Sequence, residues 1–291
     1  RYDAQKLARN LHYIVLMTLL PSFIMSPING MNHMQVFLTY SDIALASCMI
    51  IIVLLISWQL RLKLTKTLLI AAIRTIVQLS FIGLILAWIF AREQWYEVLL
   101  ILTIMTLIAG SAAKNRVKRS YKGLLTDTLI AVGTSATLVT AIAMIVILRV
   151  QPWYTPQFII PILGLILGNS LTAISLTSNQ LIEAFHEQQG RIEMMLSLSA
   201  RPFEAVHEQI RAAITNGMTP TLNSMLVVGI VSLPGMMTGQ ILAGADPTQA
   251  VRYQIITMFL ICVSSTLGCT ISALLIYRRF FNKNKQFILP H

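Results

Sequence analysis

The sequence predicts an all-α fold, a polytopic bundle of helices embedded in a membrane. The first observation is composition: 56% of the 291 residues are hydrophobic and only 11% are charged, against about 25% charged residues in an average soluble domain. The second is that the apolar residues form separate runs of about 20, the length that crosses ~30 Å of hydrocarbon. The third is that the positive charges lie almost entirely between those runs. This composition excludes a soluble enzyme and a nucleic-acid-binding protein.

Seven segments are long and apolar enough to be predicted as membrane-spanning helices. In chain order they are 39–58, 67–90, 95–113, 124–149, 158–182, 221–244 and 250–277. An eighth apolar stretch, Leu11 to Met25, is shorter and contains Pro21. The sequence leaves open whether this stretch crosses the membrane, lies at its surface or is a signal-like leader. We therefore divide the chain into an N-terminal segment, 1–38, and one transmembrane domain, 39–291.

The distribution of Lys and Arg predicts the orientation of the spans. Fifteen of these residues follow spans one, three, five and seven, whereas the alternate loops hold only Arg92, Arg149 and Arg252. Because cytoplasmic loops are enriched in Lys and Arg, the first set is predicted to be cytoplasmic, and the C-terminus with it. The excess of positive charge, +11 overall, is thus a topology signal. The predicted location is a cell membrane, of the bacterial inner-membrane type.

Polar or helix-breaking residues inside two spans are candidates for a solute path. Asn169 in span five is an amide in an apolar helix, beside a stripe of small residues that equally fits a helix–helix seam. In span six, Pro234 and Gly235 predict a kink or break near the middle of the membrane. Such breaks are tolerated only where protein or a water-filled cavity surrounds them. Met236 and Met237 follow the break and are either soft contact surface or packing residues.

Span two carries Arg74 and Gln78 on one helical face, since they are spaced four residues apart. A guanidinium inside the bilayer costs at least ~2.5–3.5 kcal/mol, so it needs a structural or functional reason to be there. Arg74 lies only ~10 Å from the predicted cytoplasmic end of its span and can extend towards the surface. These two residues are candidates for the solute path, with a structural role as the alternative.

The long polar stretch between spans five and six, about 183–220, is the most informative loop. Residues 203, 206, 210, 213 and 214 form one apolar helical stripe behind Pro202, which suits a first helical position. The preceding stretch, 191–198, is also helical in composition. We therefore predict two short cytoplasmic helices, whose apolar sides must be covered by the membrane surface, the bundle or a partner protein.

A resemblance becomes specific in this loop. The run from Glu193 to Val206, EMMLSLSARPFEAV, resembles the "EAA…G-A-x-P" coupling loop of ABC-transporter permeases, although Ser199 stands where that loop usually has Gly. The surrounding segments, PILGLILGN at 161–169, VSLPGMMTG at 231–239, AGADP at 243–247 and RYQI at 252–255, together resemble the FetB-type iron-export permease family, which is related to the plant aluminium-sensitivity permeases. The similarity extends from about Leu60 to Phe281.

The resemblance implies a non-catalytic permease that pairs as a homodimer and binds two copies of a cytosolic ABC ATP-binding subunit. That subunit would supply ATP and Mg²⁺, because this chain has no G-x-x-x-x-G-K-[ST] phosphate-binding motif. The residues that match the coupling loop, and are expected to contact the ATPase, are Glu193, Ser199, Ala200, Pro202, Phe203 and Val206.

Cargo follows from the resemblance alone, which implies export of iron or a related metal, with a small organic solute such as a nucleotide sugar as the alternative. No cluster of metal ligands is evident in the sequence. An ion-gradient secondary transporter is a further alternative, but it would be expected to carry acidic residues within the spans for ion coupling.

Overall fold

A computed structural model describes residues 40–282 and 286–289 of the chain, and these residues form a helical bundle. The short apolar stretch from Leu11 to Met25 lies outside the described residues. The helices are α1 (Tyr40–Gln59), α2 (Thr65–Arg92), α3 (Trp95–Asn115), α4 (Leu124–Ile142), α5 (Pro156–Glu187), α6 (Gln189–Ser197), α7 (Pro202–Val227), α8 (Gly235–Leu242) and α9 (Pro247–Phe280). A π-helical turn, Ala143–Ile147, continues α4.

Proline marks the first residue of the three longest inner helices. Pro156, Pro202 and Pro247 begin α5, α7 and α9, where the missing N–H costs nothing because it would have no helical partner. Asp246 caps α9, since its carboxylate accepts a hydrogen bond of 3.0 Å from the backbone N–H of Gln249. The local sequence therefore fixes where each of these helices starts.

Helices α5 and α9 form the centre of the bundle and run parallel. Serine hydroxyls join them at two levels, Ser170 to Ser264 and Ser178 to Ser272, each at 2.9 Å. The parallel direction is consistent with the charge distribution, which predicts that both helices run from outside to inside. Helices α3, α4 and α7 pack around this pair, whereas α1 and α2 lie at the periphery and α2 buries only Ile89.

In the described part of the chain, five helices are long and apolar enough to cross a membrane: α2, α3, α4 with its π-helical turn, α5 and α9. In α1 the apolar stretch is shorter, Leu45–Gln59. The multi-pass helical membrane protein is thus confirmed among the described residues, whereas the count of seven spans stays a prediction.

The segment 221–244, predicted as the sixth span, is not one helix. Its first residues belong to the end of α7, residues 228–234 form a non-helical connection, and α8 begins at Gly235. The predicted break is therefore present, and it occupies seven residues rather than a single kink.

The second of the two short helices predicted in the cytoplasmic loop is also longer than expected. Helix α7 continues from Pro202 to Val227, through Gly217 and Pro220. Side chains of α5 and of its C-cap stabilise this polar helix: Asn216 donates a hydrogen bond to Gln180, and Gln209 donates one of 2.7 Å to Gln188. Because polar groups on α7 find partners there, the helix is not interrupted where its sequence becomes polar.

Candidate functional site

A polar cavity of about 320 Å³ lies beside the break between α7 and α8. Helices α5, α7, α8 and α9 line it, together with the connection 228–234. Asn169 in this lining is ~20 Å along α5 from its start, and Gln254 is ~10 Å along α9, at 1.5 Å per residue. The cavity therefore lies between the two ends of the membrane-spanning helices. Asn169, Ser224 and Ser232 in its lining are exposed, so it opens towards the surroundings of the bundle.

The lining of the polar cavity is uncharged and rich in hydrogen-bonding groups. It contains the amides of Asn169 and Gln254, four hydroxyls (Thr221, Ser224, Ser232 and Thr257) and the thioethers of Met236 and Met258. The Thr257 hydroxyl lies 3.7 Å from the Met236 sulfur. Asn169, Ser224 and Thr257 donate hydrogen bonds to backbone carbonyls of their own helices, so what they offer the cavity is mainly acceptor oxygens. Such uncharged acceptors can bind water or the hydrogen-bond donors of a polar solute.

Gln254 is the least satisfied polar residue of this lining. Its side chain is almost fully buried, and its Oε1 has no hydrogen-bond partner among the described residues. A buried carbonyl oxygen without a donor costs about 1–3 kcal/mol. This acceptor is therefore available to a donor that enters the cavity, either water or a solute.

The ends of two helices border the same cavity. Helix α7 ends at Val227, and Val228 lines the cavity; α8 begins at Gly235, which also lines it. A helix end carries partial charge, negative at the C-terminus and positive at the N-terminus. Broken helices with exposed ends at mid-membrane depth are typical of substrate sites in transporters.

Four of the seven residues predicted for the solute path line the polar cavity, namely Asn169, Pro234, Gly235 and Met236. The other three do not. Arg74 and Gln78 are exposed on α2, and Met237 is half-buried on α8 outside the lining. The structure therefore groups the residues around the break and separates them from the pair on α2.

Helices α6 and α7 form an elbow at the predicted cytoplasmic end, with the turn 198–201 between them. A groove of about 620 Å³ runs along this elbow. Glu193, Ala200 and Pro202 line one side, and Gln286, Phe287 and Ile288 of the C-terminal segment line the other. Three of the six residues predicted to contact an ATPase thus face one groove, whose second wall was not anticipated from the sequence.

The remaining predicted coupling residues have other surroundings. Val206 is fully buried among Ile192 and Phe185, so it holds the elbow in place and is not exposed to a partner. Phe203 is partly exposed and makes edge contacts with His207 and Tyr277, with ring centroids 5.6 and 5.8 Å apart.

Ser199 adopts a left-handed backbone conformation, with φ = 68°. A side chain in this region costs roughly 1–2 kcal/mol, which glycine avoids. The geometry therefore explains why glycine is the usual residue at the matching position of the coupling loop that this segment resembles.

We expect Ser199→Gly to raise the stability of the protein by about 1 kcal/mol, because it removes this backbone strain. The melting temperature in detergent should rise by about 2–4 °C. Ser197→Gly is the matched control: Ser197 is the last residue of α6 and does not have a positive φ, so glycine relieves no backbone strain there and the melting temperature should not rise. A decrease for Ser199→Gly would show that the turn is not strained.

A buried carboxylate anchors the C-terminal end of α9 to the start of α4. Asp127 accepts two hydrogen bonds of 3.1 Å from Arg279 and one of 2.7 Å from the hydroxyl of Tyr121. Burial, and then the hydrogen bond to Asp127, raises the pKa of Tyr121 far above its usual value, so the phenol remains a donor at neutral pH. Arg279 is one of the basic residues that follow the seventh predicted span, and its pairing with Asp127, 152 residues away, is not evident from the sequence.

No group of three or more His, Cys, Asp or Glu side chains that could hold a metal ion occurs in the described part of the chain.

Several known proteins are similar in sequence to this chain. Residues 40–281 match the Uncharacterised protein family UPF0014. The "UPF0014 membrane protein slr1647" of Synechocystis is 39% identical over 89% of this chain and 100% of its own. The "Probable iron export permease protein FetB" of Escherichia coli is 34% identical over 87% of this chain and 96% of its own. The "Protein ALUMINUM SENSITIVE 3" of Arabidopsis thaliana is 33% identical over 84% and 88%.

The fold and its apolar helices define a multi-pass helical membrane protein. The chain belongs to the UPF0014 family, which the match over most of its length and the relatives above 30% identity establish. The predicted kinship with the FetB-type and plant aluminium-sensitivity proteins is therefore confirmed. No solved structure gives a significant match to this chain.

Proposed function

We propose that this chain is the membrane-spanning permease subunit of an ABC transporter, with the polar cavity as its solute path. The observation that carries the proposal is the interrupted helix: a bundle of apolar helices contains a cavity lined by uncharged polar groups, where α7 ends and α8 begins. Gln254 Oε1 supports it, because this buried acceptor without a partner among the described residues is positioned to accept a hydrogen bond from a solute in the cavity.

The energy source in this proposal is a separate cytosolic ATPase that binds the elbow, with two permeases and two ATPases in the assembly. The groove runs along this elbow, and Leu198 and Met194 beside it are exposed apolar side chains that a partner can cover. Helix α7 connects the elbow directly to the cavity, because it begins at Pro202 and carries Thr221 and Ser224 into the lining. Movement of the elbow is thus transmitted along one continuous helix to the path.

Cargo is proposed from kinship. The Escherichia coli relative is named for iron export, so iron or a related metal leaving the cytoplasm is the first candidate. The lining of the polar cavity favours a second candidate, a small polar organic solute such as a nucleotide sugar, because amides and hydroxyls are suited to hydrogen-bonding hydroxyl groups.

The coupling groove is tested by Ala200→Trp. Ala200 is a small residue in the groove, so an indole there should fill the space and reduce binding of the ATPase at least about tenfold, with loss of ATP-driven transport. Leu62→Trp, at an exposed position outside the groove, is the control and should bind normally. Binding is measured by co-purification and calorimetry. Unchanged ATPase binding and transport in Ala200→Trp would contradict the assignment of the groove.

Vesicles that contain the permease and its ATPase distinguish the two kinds of cargo. Uptake of ferrous iron, other divalent metals and a nucleotide sugar into inverted vesicles is measured with and without ATP. ATP-dependent uptake of ferrous iron supports the metal. Uptake of the nucleotide sugar alone would overturn the metal assignment, and uptake without the ATPase would overturn the ABC mechanism itself.

A further inference from the structure

A second cavity, of about 490 Å³, is separate from the polar cavity and has a different character. It lies between α3, α4 with its π-helical turn, and the first part of α5, and we call it the apolar cavity. Its lining consists of aliphatic side chains, Met144, Trp153 and four threonines, with no charged residue among the lining positions. Several lining residues, including Thr103, Thr137 and Ile145, are exposed, so the cavity is open towards the surroundings of the bundle.

The threonines do not make this cavity polar. Thr103, Thr106 and Thr137 donate their hydroxyls to backbone carbonyls of their own helices, at 2.5–2.8 Å. They are therefore satisfied internally, and what they add to the wall is mainly methyl surface. Thr140 is the exception, since its buried hydroxyl has no partner among the described residues. One hydroxyl in a wall of this size leaves the lining predominantly apolar.

The depth of the apolar cavity matches one leaflet of a bilayer. Trp153 lies in the connection before α5, at the predicted outer end, and tryptophan is enriched at that interface. Leu163 is ~10 Å along α5 from its start, and Thr137 is ~15 Å before the end of the π-helical turn. Half of a ~30 Å hydrocarbon core is ~15 Å. The cavity thus extends from the outer interface to about the bilayer centre.

Helix α4 departs from regular α-helical geometry where it lines this cavity. Met144 and Ile145 belong to the π-helical turn Ala143–Ile147 and are both in the lining. A π-helical turn is rare, is usually less stable than a continuous α-helix and often occurs at functional sites. Met144 and Ile145 therefore enter the lining from a turn that is wider than the α-helix before it.

We propose that the apolar cavity binds one acyl chain of a phospholipid from the outer leaflet. The surroundings of these helices are the bilayer itself, so lipid is the molecule present at high concentration at the opening. An apolar, uncharged lining suits an alkyl chain, which requires no hydrogen-bonding partner. The length from the interface to the bilayer centre suits a chain whose headgroup stays beside Trp153. This inference does not depend on the proposed transport function.

Photo-crosslinking tests the site in the full-length protein. The probe is a phosphatidylethanolamine with a diazirine halfway along one acyl chain, in vesicles of phosphatidylethanolamine and phosphatidylglycerol. Labelled residues are mapped by mass spectrometry. We expect labelling of 99–107 and 137–145 to exceed, by about fivefold per residue, that of the exposed faces of α1 and α2. Equal labelling of all lipid-exposed faces would overturn the proposal.

Two pairs of substitutions separate the cavity from the general lipid-facing surface. Ala141→Phe and Thr103→Phe fill the cavity from α4 and α3, and each should reduce this labelling at least about fivefold. The neighbouring exposed positions outside the lining, Ile142→Phe and Ile104→Phe, should leave it unchanged. Undiminished labelling in both cavity variants would exclude the acyl-chain site. Absence of labelling in the wild-type protein, because a second copy of the chain covers these residues, would exclude it as well.

Discussion

Gly217→Ala should lower the melting temperature of the purified protein by about 3–10 °C. Gly217 is buried where α7 crosses α5, and a Cβ at this position would overlap the hydroxyl of Thr177 and lie 2.8 Å from the backbone carbonyl oxygen of Ala173. A backbone carbonyl cannot rotate away as a side chain can, so the two helices must separate. Overpacking of this kind costs about 1–3 kcal/mol of stability. In a chain of this size, a shift of one degree in the melting temperature corresponds to a few tenths of a kcal/mol.

Gly168→Ala is the matched control for that substitution. Gly168 is also a helical glycine, on α5, but a Cβ there meets nothing within 4 Å in this chain. Because alanine is the better helix former by up to ~1 kcal/mol, this variant should melt at the same temperature as the wild type or slightly higher. Equal melting of the two variants would show that α5 and α7 are not in close contact at Gly217.

Arg279→Ala should destabilise the protein by about 2 kcal/mol. The substitution leaves the carboxylate of Asp127, whose side chain is 4% exposed, without its guanidinium partner. The cost is below the ~3–5 kcal/mol of a fully buried pair, because the Arg279 side chain is about half exposed and solvent screens it. The measurement is thermal unfolding in detergent at pH 7.

The ion pair on the elbow provides the comparison. Arg191 and Glu208 are 2.7 Å apart, but both side chains are more than half exposed. Glu208→Ala should therefore cost less than ~1 kcal/mol. In the double variant Asp127→Asn/Arg279→Ala the loss should be smaller than the sum of the single losses, because no buried charge remains. A loss for Glu208→Ala as large as that for Arg279→Ala would contradict this account of the anchor.

The sequence predicted the elements that depend on local composition. Long apolar runs identified α2 to α5 and α9 as helices, because backbone groups in hydrocarbon must be bonded within the segment. Pro234 and Gly235 indicated the interruption for a local reason as well, namely the loss of a helical N–H. Features of this kind require no knowledge of distant parts of the chain.

Features that depend on distant contacts were not predictable from one sequence. Helix α7 continues through Gly217 and Pro220 because side chains of α5 form hydrogen bonds with its polar side chains. Gly217 also lets the two helices pack closely. Gln254 belongs to the motif RYQI, which carries the family resemblance but predicts no role for this residue. Only the fold shows that its amide faces a cavity. The wall that residues 286–288 add to the elbow is likewise visible only once the chain is folded.

The small-residue stripe of α5 illustrates the same limit. The spacing of Gly164, Gly168 and Thr172 predicts a face that another helix can approach. Within this chain the tight approaches occur elsewhere, at Gly110 against Leu129, at Gly217 against α5 and at Gly268 against Ile174. Spacing identifies a possible contact face, but the neighbours of that face are set by the packing of the whole bundle.

Labelling of a single cysteine at Ser224 tests most directly whether the polar cavity is a path that an ATPase switches. Ser224 lines the cavity. The substitution Ser224→Cys is made in a variant in which Cys48, Cys262 and Cys269 are replaced by alanine. This variant is then reconstituted with the ATPase. A membrane-impermeant thiol reagent is applied from each side.

Leu226→Cys is the control, because Leu226 is exposed on the same helix outside the lining. Its labelling should not change with nucleotide. The account predicts labelling of Ser224→Cys from one side without nucleotide and from the other with ATP bound. Labelling from neither side, or from the same side in both states, would contradict it.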